Sequence, residues 1–285
     1  PLKVLHEYRM SAKDVRETAR YIETTNLDKL RNACGVSASR MSLVPYAIDV
    51  LTRLVKTFKP KDIAVSSYGI REGLLYEQMP QRLRARDPLI EASRFAEAKD
   101  ARVPGFGGTL YDFVSPLFSG APLAKRRLVK AACLLHDVSW RAHPDYRAEV
   151  CFDNATRANL GGLKHSERIF LGMALLHRYR TKRQGTHFEH LYDLLAPEKQ
   201  KEAEILGKAM RFGAMLMVGE DQDIGSLRWQ PRKRFLHVEL PAASAPLFGE
   251  VAQSRLMSLV NALEAEVRVT VEGKRGALLQ KDSRE

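Results

Sequence analysis

Asp62-Ile63-Ala64-Val65-Ser66-Ser67-Tyr68-Gly69-Ile70-Arg71-Glu72-Gly73 decides how the N-terminal region folds. Its first five residues form a short β-branched run, and the residues after Gly69 recur at helical spacing until Pro80. A strand, a glycine-bearing turn and a helix start gather backbone N–H groups and the positive end of a helix dipole at one point. Arg71 stands there with a guanidinium fork that suits phosphate oxygens. Ser66, Gly69 and Arg71 are therefore candidate phosphate-binding residues. The plainer alternative is an αβ turn in which Gly69 takes a positive φ and Arg71 pairs with Glu72 or another carboxylate.

Around this turn the first 80 residues alternate between strand and helix. A strand is expected near Lys3–Met10, and a helix over Asp14–Thr24 with Ser11 as its N-cap. A second helix is expected over Ser42–Phe58, followed by the strand Asp62–Ser66. This α/β unit is too short for a complete doubly wound domain, and strand-like Leu2-Lys3-Val4-Leu5 follows Pro1 at once, as if the chain began inside a domain. The arginine-rich Arg82-Leu83-Arg84-Ala85-Arg86-Asp87-Pro88 reads as a linker. Beyond it, apolar positions recur at helical spacing through Leu89–Asp100, Thr109–Phe118, Ala124–Leu135, Asp145–Asn159, Ser166–Arg180 and Pro197–Val218. Ser226–Trp229 and Phe235–Leu240 read as strands, Phe248–Leu263 as a helix and Val267–Val271 as a last strand before a polar tail. The fold class is α/β, then mainly α, then a small ββαβ unit, with domains over 1–82, 88–220 and 221–285.

Composition bounds the partners. The chain has 285 residues, a net charge of +12 and a pI near 9.7, so it attracts polyanions. No apolar run approaches a membrane span. Cys34, Cys133 and Cys151 have no CxxC spacing and fall mostly in apolar helical patterns, as expected of buried reduced thiols in a cytoplasmic protein.

His136-Asp137 closes the apolar run Ala131–Leu135, and such a pair near a helix end can ligate a divalent metal. No histidine occurs between His6 and His136 to supply an earlier ligand. The pair is therefore expected to be a degenerate, hydrogen-bonded relic without a metal. Basic residues crowd the end of the Ser166–Arg180 helix. Arg178, Arg180, Lys182 and Arg183, with Lys125, Arg126 and Arg127, are candidates to hold a long polyanion. A merely solvated basic face remains the alternative.

The order of elements, with Pro1-Leu2-Lys3-Val4-Leu5-His6 at the start, Arg40 before Asp49-Val50-Leu51, then Val65-Ser66 through Arg71-Glu72-Gly73-Leu74-Leu75, resembles the Ppx/GppA exopolyphosphatase family. Leu134-Leu135-His136-Asp137-Val138, His143, Tyr146, Gly161, His165, Glu167-Arg168 and Arg178-Tyr179 resemble that family's HD-like helical domain. The resemblance implies a C-terminal portion: the end of an actin-like (ribonuclease H-like) ATPase lobe, the HD-like helical domain and a small C-terminal extension.

Members of that family hydrolyse the terminal phosphoanhydride bond of inorganic polyphosphate or guanosine pentaphosphate, the latter a stringent-response nucleotide. A glutamate base and Mg²⁺ assist them. Nothing in these residues matches that glutamate or the family's phosphate loops. The resemblance therefore implies that this chain contributes polyanion binding, with Arg71 and the turn around Gly69 steadying phosphate, and that it forms a homodimer. Two alternatives stand beside it: an independent HD-type, metal-dependent nucleotide phosphohydrolase, and a non-catalytic nucleic-acid or polyanion binder. The scarcity of aromatic residues in the basic runs argues against nucleic acid.

Overall fold

The computed structural model describes residues 2, 4–182, 184–217, 223–274 and 277–281. It divides into two compact units, one formed by Leu5–Glu77 and one by Pro1–Val4 with Gln78–Glu285.

The Leu5–Glu77 unit runs β1 (Arg9–Ser11), α1 (Ala12–Thr24), α2 (Leu27–Cys34), α3 (Ala38–Met41), α4 (Val44–Phe58), β2 (Asp62–Ala64) and α5 (Ile70–Gln78). Ser11 caps α1 as the sequence suggests: its Oγ accepts from Asp14 N at 3.1 Å, and Asp14 returns a carboxylate to Ser11 N at 2.8 Å. The first strand is shorter than expected. Glu7 sits at φ 62° and Tyr8 N–H turns back to Leu5 O at 2.9 Å, so the extended run starts only at Arg9. β1 and β2 pair antiparallel, with Met10 opposite Ile63. Between α1 and α4 the chain forms two helices that the apolar pattern does not announce. α2 buries no residue at all, so an Asn26 cap and a left-handed Gly35 delimit it without a hydrophobic stripe. Cys34 at its end is exposed, contrary to the expectation of buried thiols, whereas Cys133 and Cys151 are buried.

The second unit is mainly helical. The expected linker contains α6 (Gln81–Arg84), and Asp87 then caps α7 (Pro88–Asp100), accepting from Leu89 N at 2.9 Å. There follow α8 (Phe106–Val114), a short 3-10 turn, α9 (Leu123–Leu135), α10 (Pro144–Arg157), α11 (His165–Tyr179), α12 (Glu189–Tyr192) and α13 (Pro197–Gly213). The expected end of this last helix at Val218 lies outside the described residues. α11 is the central element: every residue from Arg168 to His177 is buried, and it packs between α10 and α13 and against α9. Burying each large apolar side chain there, such as Leu171 or Leu176, contributes about 1.5–3 kcal/mol. Arg168 is buried with them because its guanidinium donates to Ala158 O at 2.9 Å and Leu160 O at 2.8 Å, which anchors the loop after α10. Glu97 of α7 reaches across to α8 and accepts from Gly107 N at 2.7 Å.

The closing elements are β3 (Ser226–Gln230), β4 (Phe235–Leu240), α14 (Glu250–Leu263), β5 (Glu266–Val271) and β6 (Ala277–Lys281). They correct the expected ββαβ unit, because part of the supposed polar tail is a fourth strand pairing antiparallel with β5. The sheet order is β3-β4-β5-β6, with β4 and β5 parallel and joined through α14. Leu236, Val238 and Leu240 stand opposite Val267, Val269 and Val271, all six buried, and all but Val271 join the same hydrophobic core as the helices.

Candidate anion-binding cleft

α11 and α13 approach closely at Gly207. A Cβ built there would lie 2.4 Å from Ala174 O and 2.4 Å from His177 Cβ, so only glycine allows this contact. Next to this contact, the two helices and the segment after α11 line a cleft of about 710 Å³. Among the described residues its charged lining is Lys182 from the segment after α11 and Lys201, Glu204 and Lys208 from α13: three lysines against one glutamate. The α13 residues lie at i, i+3 and i+7, which places all three on one helix face. Glu204 divides its carboxylate between them: Oε1 meets Lys208 Nζ at 2.6 Å and Oε2 meets Lys201 Nζ at 3.7 Å. The Lys208 side chain is only 10% exposed, while Lys201 is 44% exposed and Lys182 is exposed at the rim. Burial alone would raise the Glu204 carboxyl, but Lys208, Lys201 and His177 outweigh it and hold the group below the usual carboxylate range.

Further cations stand behind this wall. Arg211 donates to Thr181 Oγ1 at 3.1 Å, and burial followed by repulsion from Arg255 and Arg178 lowers its pKa to about 10. The buried His177 ring has Nδ1 3.3 Å from Arg180 O, and since a carbonyl only accepts, that nitrogen carries the proton. A second polar cleft of about 370 Å³ shares Gln184 and Gln200 with the first but is lined by Glu189 and Asp193. Gln200 donates to Tyr192 O at 2.9 Å and Leu195 O at 2.8 Å, so it is a fixed partition.

The residues singled out in the sequence fall in several places. Lys182 lies on the cleft, and Arg183 lies outside the described residues. Arg180 pairs with Glu149 at 3.5 Å and donates to Gln184 O at 2.9 Å, which fixes the course of the chain beside the cleft. Arg178 is half-buried over the Tyr179 ring, 4.7 Å from its centroid, with its Nε shut away from solvent and without a hydrogen bond. Burial lowers its pKa, against the opposing pull of Tyr179 and Asp137. The other run is elsewhere: Lys125 pairs with Glu202, Arg127 with Asp87 and with Gly162 O, and only Arg126 is left exposed.

The Ser66–Gly73 turn spends three of its backbone donors on its own side chains and on His6. Ser67 N–H goes to His6 Nδ1 at 3.1 Å, Tyr68 N–H to Ser66 Oγ at 3.0 Å and Gly69 N–H to Glu72 Oε2 at 2.7 Å. An anion bound there must displace Glu72, whose carboxyl is held low by its own and the Gly69 amide. Arg71 is exposed, and Gly69 is not among the glycines with positive φ.

His136 and Asp137 are buried. His136 Nδ1 donates to Cys133 O at 2.9 Å, and burial, then the charge of Arg178, lowers its pKa to about 3, so the ring is neutral. Asp137 accepts from Tyr179 Oη at 3.1 Å and lies 3.6 Å from Arg102 Nε. Among the described residues no group of three His, Cys, Asp or Glu could hold a metal ion.

Lys201, Glu204 and Lys208 escaped the sequence reading because their spacing is that of an ordinary surface ladder on one helix; only the facing end of α11 turns them into a wall. A family model of the C-terminal domain of exopolyphosphatases matches residues 100–269, from the end of α7 into β5 and across both walls of the cleft. No curated protein matches the chain. With more than half of its length matched, the chain belongs to the exopolyphosphatase family.

Proposed function

We propose that this chain serves the hydrolysis of terminal phosphoanhydride bonds in inorganic polyphosphate or guanosine pentaphosphate by binding the polyanion, and that it does not supply the catalytic glutamate. The α11–α13 cleft carries this reading, because its lysines present ammonium groups along a wall that a chain of phosphates can follow. Among the described residues no Phe, Tyr or Trp lines the cleft, so those residues offer no platform for stacking a nucleic-acid base. That favours a phosphate chain over RNA.

Mg²⁺ belongs to the family's chemistry, but the residues described here do not fit it. The His136 and Asp137 donors are turned to Cys133 O, Tyr179 and Arg102, and no third ligand stands near. In this reading His136 and Asp137 hold the helical unit together, and the Leu5–Glu77 unit is the end of an actin-like lobe whose Arg71 steadies substrate phosphate. Homodimer formation and a cytoplasmic location belong to the same proposal. Among the described residues no helix is long and apolar enough to cross a membrane.

The test is a salt-dependent binding assay with polyphosphate and the intact chain. Lys182→Glu and Lys201→Glu should each weaken binding about tenfold and flatten the salt dependence by about one counterion. Lys99→Glu, an exposed change on α7, should leave it within about twofold. No orthophosphate should be released by the chain alone. Unchanged affinity in both cleft variants would sink the proposal.

A further inference from the structure

The cleft contains its own anion. Glu204 sits between the two lysines of α13 and gives one carboxylate oxygen to each, at 2.6 Å and 3.7 Å. Lys208 is almost wholly enclosed and cannot swing out to solvent, so its counter-charge is Glu204 or an anion in the cleft. A polyanion site made only for tightness would omit that carboxylate, since it repels each arriving phosphate and half-neutralises the amines that should receive it.

The arrangement acts differently on short and long ligands. A single phosphate reaching Lys201 gains one partner and faces one repelling charge. A chain that also reaches Lys182 gathers several contacts within one binding event, and its local concentration overcomes the repulsion. We infer that Glu204 is a built-in counter-anion which a phosphate chain must displace, and that it makes the cleft discriminate long polyphosphate from orthophosphate and tripolyphosphate. This rests on the cleft being the polyphosphate site and adds to it the residue that sets the length threshold.

The experiment measures the affinity of the intact chain for orthophosphate, tripolyphosphate and long-chain polyphosphate in the wild type and in Glu204→Gln and Glu204→Asp. The Gln side chain keeps an acceptor for Lys208 and removes the charge. It should tighten tripolyphosphate about tenfold and long chains about threefold, so that discrimination contracts about threefold. Glu204→Asp keeps the charge and should retain near wild-type discrimination. If Glu204→Gln weakens tripolyphosphate, or if Asp and Gln change the ratio equally, the inference fails. Lys182→Glu and Lys201→Glu measured alongside separate the two levels. If they leave long-chain binding intact, the cleft itself is misassigned; if they weaken it while Glu204→Gln leaves the ratio unchanged, only the role of Glu204 falls. An ordinary helix-surface pair predicts that last result. Thermal midpoints with and without tripolyphosphate give a second readout: the ligand should stabilise Glu204→Gln more than the wild type, because it replaces the counter-charge that Lys208 has lost.

Discussion

Replacing Gly207 by Ala tests the packing that sets the cleft walls. The added Cβ would stand 2.4 Å from Ala174 O, 2.4 Å from His177 Cβ and 2.9 Å from the His177 carbonyl carbon. Relaxed carbon contacts lie at about 3.5–4.0 Å, so α11 and α13 must separate by roughly 1 Å. The obstacles are backbone and a Cβ, none of which can rotate away. Overpacking of this kind costs about 3 kcal/mol, and the better helix propensity of Ala returns up to about 1 kcal/mol. The net loss of about 2 kcal/mol should lower the thermal midpoint by roughly 4–8 °C in a unit of this size. Far-UV circular dichroism during heating, supported by urea titration, measures it. Polyphosphate affinity should fall as well, because Lys208 stands on α13 and Lys182 on the segment that continues from α11. Gly108→Ala is the control: it is also a helical glycine, but nothing lies within 4 Å of its would-be Cβ, so it should stabilise by up to about 1 kcal/mol. A Gly207→Ala protein that melts with the wild type would refute the close approach of the two helices.

Two predictions concern the buried His136 and Asp137. His136 has a folded-state pKa near 3 against an ordinary 6.5, so between these values the unfolded chain binds a proton that the folded chain refuses. Stability is therefore complete above about pH 6.5 and is lost on acidification, at up to about 1.4 kcal/mol per pH unit. His136→Asn, which keeps a donor for Cys133 O, should flatten that acid limb in urea titrations at stepped pH; an unchanged slope would contradict a buried neutral ring. Asp137→Asn removes the carboxylate opposite Arg178 and Arg102 and should cost on the order of 2 kcal/mol, read from the urea midpoint. Full retention of stability would show that the arginines need no counter-charge.

Several helices announce themselves in the sequence, because α9 and α13 bury apolar residues that recur at helical spacing and α11 is apolar through most of its fully buried length. α2 and α12 do not: the first buries nothing and the second is a single turn. β6 was hidden because its place is set by backbone pairing with β5 and not by a hydrophobic run. The site was harder to see than the fold. The basic runs are legible as charge, but whether a cation is free depends on carboxylates far away in sequence. Asp87 takes Arg127, Glu202 takes Lys125 and Glu149 takes Arg180. Conversely, Lys201 and Lys208 carry no run to attract notice, and they matter only because α11 faces them.

The reach of Glu97 from α7 to the Gly107 amide bears on how this protein can be cut into parts. The segment shared with exopolyphosphatases starts at residue 100, three residues after Glu97, and ends at residue 269, midway along β5. A fragment trimmed to those limits would leave the buried start of α8 with an unanswered N–H and would cut through the parallel pair at the centre of the sheet. The stretch shared with the family is thus smaller than the stretch these contacts tie together. The workable boundaries lie outside it, before the Asp87 cap of α7 and after β6.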